Sequence, residues 1–137
     1  MSWSSKYVGL PYTDHGRDRD GVDCWGLARL VYAEELGITL PSYADAYASA
    51  EELLEVDAIL RGASERKQWC AVSQTQPFDL FEFRVGAHRS HVGIAVSTSL
   101  MLHVHSGSAA LVERIWPRWT ERRTGIYRHI HMVLRGD

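Results

Sequence analysis

Cysteine is scarce: Cys24 and Cys70 are the only two in 137 residues. That excludes a disulfide-stapled scaffold as the main architecture, and with it a four-cysteine metal site. No apolar run reaches membrane-spanning length, so no membrane anchor is expected. The opening MSWSSKYVGLPY has no basic stretch followed by an apolar one. It does not read as an ordinary secretory signal peptide, and synthesis in the cytoplasm is the expectation. Neither charge sign is in excess, since 15 Lys and Arg against 17 Asp and Glu leave a formal charge of -2. A chain that lives by wrapping nucleic-acid backbone is thereby disfavoured. Internal repeats, phosphate loops, dinucleotide fingerprints and paired-carboxylate motifs are all missing, so no cofactor is expected. What remains is an ordinary globular balance, 45% hydrophobic and 23% charged, in a length that suits one domain over residues 1–137. Five Trp and six Tyr are many for that length.

The stretch from Ser2 to Val22 holds Gly9, Pro11, Gly16 and Gly21 and the charged run DHGRDRD, and reads as irregular chain. Helical spacing starts at Asp23, a good N-cap, with Leu27, Ala28, Val31 and Tyr32 on one face and Gly37 as a stop, which predicts a helix over 24–36. A weaker pattern predicts a second helix over 49–60. Cys70 lies in a short strand or a loop. Period-2 alternation then predicts strands over 79–85, 91–97, 100–105 and 126–134, with 113–123 crossing between two of them. Helices first and antiparallel strands after them make an α+β domain, with N-terminal helices packed on an antiparallel sheet.

Cys24 follows the cap directly. Free N–H groups and the helix dipole favour a thiolate there, so its pKa is expected to fall. Gly26 leaves room beside the sulfur. A nucleophilic cysteine needs a base. His91 opens one strand and His103 lies in the next, both out of phase with the apolar positions. In a hairpin turning near 97–99 they stand nearly opposite each other, and a helix packed on their face would bring Cys24 to them. His91 is then the base, and His103 orients it and sets its tautomer. His105 shares the parity of His103. Plain packing of Cys24 and purely local hydrogen bonding of the histidines remain open. So does a zinc set of Cys24, His91, His103 and His105, although the spacing matches no short metal motif and no metal is expected.

These blocks resemble the NlpC/P60 cysteine peptidases, papain-like endopeptidases of bacterial cell walls. DCWGL at 23–27 matches the nucleophile block, HVGI at 91–94 the base strand, and His103 the third polar residue twelve positions on. Tyr12, twelve before the cysteine, matches a family active-site tyrosine whose hydroxyl can face the oxyanion region. YVGLPY at 7–12, GVDCWGL, GITLP at 37–41 and GIYRH at 125–129 resemble more closely the branch carried by phage tails and gene-transfer agents. The resemblance implies a papain-like fold and a thiol endopeptidase cutting peptidoglycan stem peptides, between D-glutamate and a diamino acid. It implies catalytic roles for Cys24, His91, His103 and Tyr12, and a place in a virion tail acting at the cell wall with tail proteins as partners. Arg17, Arg19 and the 114–123 region are candidates for the carboxylates of such a peptide, and Trp25, Trp116 and Trp119 for the cleft lining. A structural tail protein with an idle site, and a thiol amidase or acyltransferase on the same scaffold, are the competing readings.

Overall fold

The structure is a computed structural model that describes residues 2–42, 68–85 and 88–134. The second helix expected over 49–60 lies outside the described residues.

Asp23 caps α1 (Cys24–Val31) by accepting from the Gly26 N–H at 2.7 Å. The helix runs on as a π-helical turn, Tyr32–Leu36, and stops at Gly37 in the left-handed region, φ 68°. Both ends match the predicted span of 24–36. The widening of the last turn was not predicted. It brings two consecutive carboxylates, Glu34 and Glu35, onto one hydroxyl, that of Tyr7, at 2.9 and 2.8 Å. Before α1 come a short 3-10 turn (Trp3–Lys6), whose Lys6 pairs with Glu35 at 2.6 Å, and a two-stranded ribbon of β1 (Arg17–Asp18) and β2 (Gly21–Val22).

The remaining strands are β3 (Trp69–Ala71), β4 (Leu80–Val85), β5 (His88–Ala95), β6 (Leu100–His103), β7 (Leu111–Arg114) and β8 (Arg123–His129). They form one antiparallel sheet in the order β3-β8-β4-β5-β6-β7. Alternation along the strands loads both faces. Leu80, Val92, Ile94, Leu102 and Val104 join Leu27, Ala28 and Val31 of α1 in the main core. Phe81, Phe83, Ala95 and Met101 form a second core, covered by Ile115 and Trp119 from the β7–β8 connection. The α+β class, with α1 on one face of an antiparallel sheet, is as the sequence predicts.

The last expected strand, 126–134, is half strand and half helix. β8 stops at His129 and α2 (Ile130–Leu134) follows. The reason is the partner's length. β3 has three residues, and Trp69↔His129 is the terminal pair of its ladder with β8. Beyond it the Ile130 N–H still reaches the Gln68 carbonyl at 2.8 Å, and the chain then turns helical and packs Met132 on the core, while Leu134 faces outward.

Candidate active site

The site forms where β5 and β6 diverge. Their pairs are Ile94↔Leu102 and Ala95↔Met101. Ala95 N–H turns the other way, to Asp79 on the β4 side. By alternation Ile94 and Val92 look toward β6. The ladder reaches Ile94. At Val92 the amide instead bonds the sulfur of Cys24, which the Trp25 N–H also reaches. The first turn of α1 thus occupies the space where β6 would have continued. Gly26 is what lets the Gly16–Arg17 chain lie against this turn: a Cβ there would sit 1.9 Å from the Gly16 carbonyl oxygen and 3.1 Å from Arg17 Nη1.

Helix-start position was expected to lower the Cys24 pKa. The structure reverses that expectation. The residue is 4% exposed, and burial first, then the Asp23 carboxylate, push the thiol up to about 12. The two N–H groups and Arg17 pull the other way and lose. The anion that caps the helix and the dryness of the site outweigh the helix dipole.

His91 and His103 are both buried, and His91 Nε2 lies 2.9 Å from His103 Nδ1. Their register differs from the one expected. With Leu102 opposite Ile94, His103 falls beside Gly93 rather than His91, and the two imidazoles meet diagonally with ring centroids 5.1 Å apart. Gly93 leaves the space for this, since a Cβ there would lie 2.6 Å from Met101 Sδ and 3.5 Å from His103 Cβ. The imidazoles share one face, opposite Val92 and Ile94, as expected, but α1 does not pack on it. Helix α1 packs on the side of Val92 and Ile94, whereas the imidazoles rise on the other side, against Phe83 and Trp119. Cys24 reaches the strand at its edge, one residue from His91, and not from above the histidines. Burial lowers the His91 pKa well below the usual imidazole value, with His103 and His105 adding to it. Burial also lowers His103, against the opposing pull of Glu113. The ring of His105 stands 5.7 Å from that of His103 and 6.5 Å from that of His91.

Sequence reasoning missed Glu113. It lies on β7 opposite Met101, and so on the face that carries His103. Its Oε1 is 2.7 Å from His103 Nε2 and accepts from Trp119 Nε1 at 3.1 Å, with Arg118 Nη1 at 3.5 Å from the other oxygen. Burial would raise this carboxyl, but the hydrogen bonds from His103 and Trp119 hold it below its usual value. Trp119 also stacks on His91, centroids 5.3 Å apart and planes 25° from parallel. The sequence signal was present only as an acidic residue ten positions after His103, and the β6–β7 register gives it meaning.

The other predicted residues scatter. Tyr12 is held beside Val22 by an isolated bridge and donates its hydroxyl to Asp14 Oδ1 at 2.7 Å. Burial and Asp14 raise its phenol, and Asp23 and Cys24 lie near enough to add to the effect. Arg17 does not face an open cleft: Nη1 grips Asp23 Oδ1 at 2.7 Å and Nε donates to Ser42 O at 2.9 Å, which clamps the helix cap. Arg19 pairs with Glu34 at 2.7 Å and lies over the Tyr7 ring. Trp25 does not line a cleft either. It is 1% exposed, packs on Trp69 and donates Nε1 to Pro41 O at 2.8 Å, because its place on α1 points into the main core. Trp116 is 71% exposed, beside the cis peptide to Pro117. Among the described residues, no group of three His, Cys, Asp or Glu side chains converges to hold a metal ion.

A helix-start cysteine set at the opened edge of a histidine-bearing antiparallel sheet is an arrangement in which a thiol and an imidazole could act together in an α+β domain. The NlpC/P60 family profile matches residues 9–128, and the chain belongs to that family. It is 26% identical over 123 residues to the Escherichia coli K12 protein called murein DD-endopeptidase MepS/murein LD-carboxypeptidase. That match covers 89% of this chain but 57% of the relative, so the chain spans a little over half the length of that protein. Among solved structures it resembles the NlpC/p60 domain of the peptidoglycan hydrolase SagA, with a TM-score of 0.62, 23% identity, and 91% and 92% of the two chains covered. It also resembles an NlpC/P60 family protein from Bacillus cereus ATCC 10987, with a TM-score of 0.66, 22% identity, and 92% and 37% covered.

Proposed function

We propose that this domain is a cysteine endopeptidase of peptidoglycan stem peptides. The observation that carries the reading is the Cys24 sulfur seated on the Val92 amide, one residue from a His91 that is hydrogen-bonded to His103. In the proposed reaction Cys24 Sγ attacks an amide carbonyl carbon as His91 takes the thiol proton. The Cys24 backbone N–H meets the oxygen as it becomes negative, and the Tyr12 hydroxyl joins it by turning away from Asp14. The carbon–nitrogen bond breaks, the amine leaves with the proton from His91, and a thioester remains on Cys24. Water, deprotonated by His91, hydrolyses it. His103 holds His91 in place throughout. Both the thiol and the imidazole start neutral, so proton transfer accompanies attack rather than preceding it.

The scissile bond proposed is the one between D-glutamate and the diamino acid, as in the resembling family. The name of the Escherichia coli relative points to DD- and LD-bonds instead. Trp116 and the exposed arginines around it are the proposed contacts for the peptide. Carriage in a phage-tail assembly remains a proposal supported by the motifs at 7–12, 21–27, 37–41 and 125–129. The test uses wild-type and Cys24→Ala protein with purified muropeptides, and the product masses identify the bond cut. The expected result is cleavage by the wild type alone. Cleavage by neither protein refutes a muropeptide substrate, and equal cleavage by both refutes the role of Cys24.

A further inference from the structure

A neutral imidazole has one N–H and one bare nitrogen, so a row of hydrogen-bonded imidazoles has a direction. Here the row ends on a carboxylate. Glu113, held ionised by its hydrogen bonds, offers only acceptors to His103 Nε2 at 2.7 Å. His103 Nε2 must therefore carry the proton. His103 is fully buried and its charged form is disfavoured, so its Nδ1 is bare. The nitrogen 2.9 Å from that bare Nδ1 is His91 Nε2, which must in turn be the donor. With its single proton spent there, His91 keeps a lone pair on Nδ1. The opposite direction would set two bare acceptors against each other at the Glu113 end. It would also leave His91 with Nδ1–H, unable to accept a proton at that atom. Trp119 fastens the arrangement from both sides, donating to the same Glu113 oxygen and stacking on His91.

We propose that Glu113 is a positioning residue that sets the direction of the His103–His91 hydrogen bonds and so keeps Nδ1 of His91 bare, ready for the proton of Cys24. The proposal rests on the reading of His91 as the base. Glu113→Met removes the acceptor at nearly constant length on a part-exposed strand, and Glu113→Gln keeps an acceptor oxygen. Long-range proton–nitrogen correlation spectra of the uniformly labelled chain distinguish protonated from bare ring nitrogens without any substrate. Wild type and Glu113→Gln should show His91 protonated on Nε2, and Glu113→Met should show the two tautomers mixed or reversed. A wild-type His91 protonated on Nδ1 overturns the proposal, whatever the variants do. So does a folded Glu113→Met that keeps the wild-type tautomer. On muropeptides, Glu113→Met should lower kcat by about 10²-fold with KM little changed, and Glu113→Gln should restore most of it. If the wild type cleaves no muropeptide, the substrate reading fails while the spectra still decide the role of Glu113.

Discussion

Cys24 sits where the influences on a thiol disagree. The helix start and two backbone N–H groups favour the anion, while burial and Asp23 oppose it and win. A thiol held near 12 beside an imidazole lowered well below its usual range is a neutral pair at rest. Alkylation of Cys24 by iodoacetamide should therefore accelerate about tenfold per pH unit between roughly pH 6 and pH 9, following the scarce thiolate. A rate already level near about pH 6 would mean a preformed thiolate–imidazolium pair and would contradict the balance of burial and charge seen here. The settings of Cys24, His91 and His103 suggested one site only if a helix packed on the histidines' face, and the family resemblance supplied the rest. The sequence did not reveal that Trp25 faces the core and that Arg17 is consumed by Asp23, because direction around a helix start depends on what packs there.

At the scale of elements, local rules did well where one element's own pattern decides. The Asp23 cap, the Gly37 stop and the alternation in β4, β5 and β6 were all legible. They did less well where a partner decides, as at the end of β8 and in the diagonal rather than opposed histidines. The seating of α1 gives a prediction of the same kind. Gly26→Ala drives a Cβ into the Gly16 carbonyl and should destabilise the fold by about 1–3 kcal/mol in urea unfolding. It should also draw Cys24 off Val92 and lower activity in the fraction that remains folded. Gly37→Ala has open space around its Cβ but a φ of 68°. It should cost stability, about 1–2 kcal/mol, and leave activity intact. Equal activity in both folded variants would show that the seating of α1 against the Gly16 carbonyl does not matter to the site.

Across the whole molecule the sheet carries a core on each face, and the histidine pair belongs to the one without α1. Burying two neutral imidazoles ties stability to pH. The folded-state pKa values of His91 and His103 lie below the unfolded value of about 6.5, so the unfolded chain binds more protons as pH falls. The contribution is full above about pH 6.5 and is lost as pH drops toward the folded values. The melting temperature should accordingly fall between about pH 7 and pH 5, and a His91→Gln, His103→Gln protein should show a flatter slope. An unchanged slope would place the acid sensitivity in other groups. The sequence by itself determined the α+β class, the helix-start cysteine, the two histidine strands and the family likeness. Each of these is written in local periodicity, capping and short motifs. Only the tertiary structure decided that α1 packs on the face away from the histidines, the neutral state of Cys24, and the pairing of Glu113 with His103. Register, burial and the meeting of distant strands set those three, and no single segment encodes them.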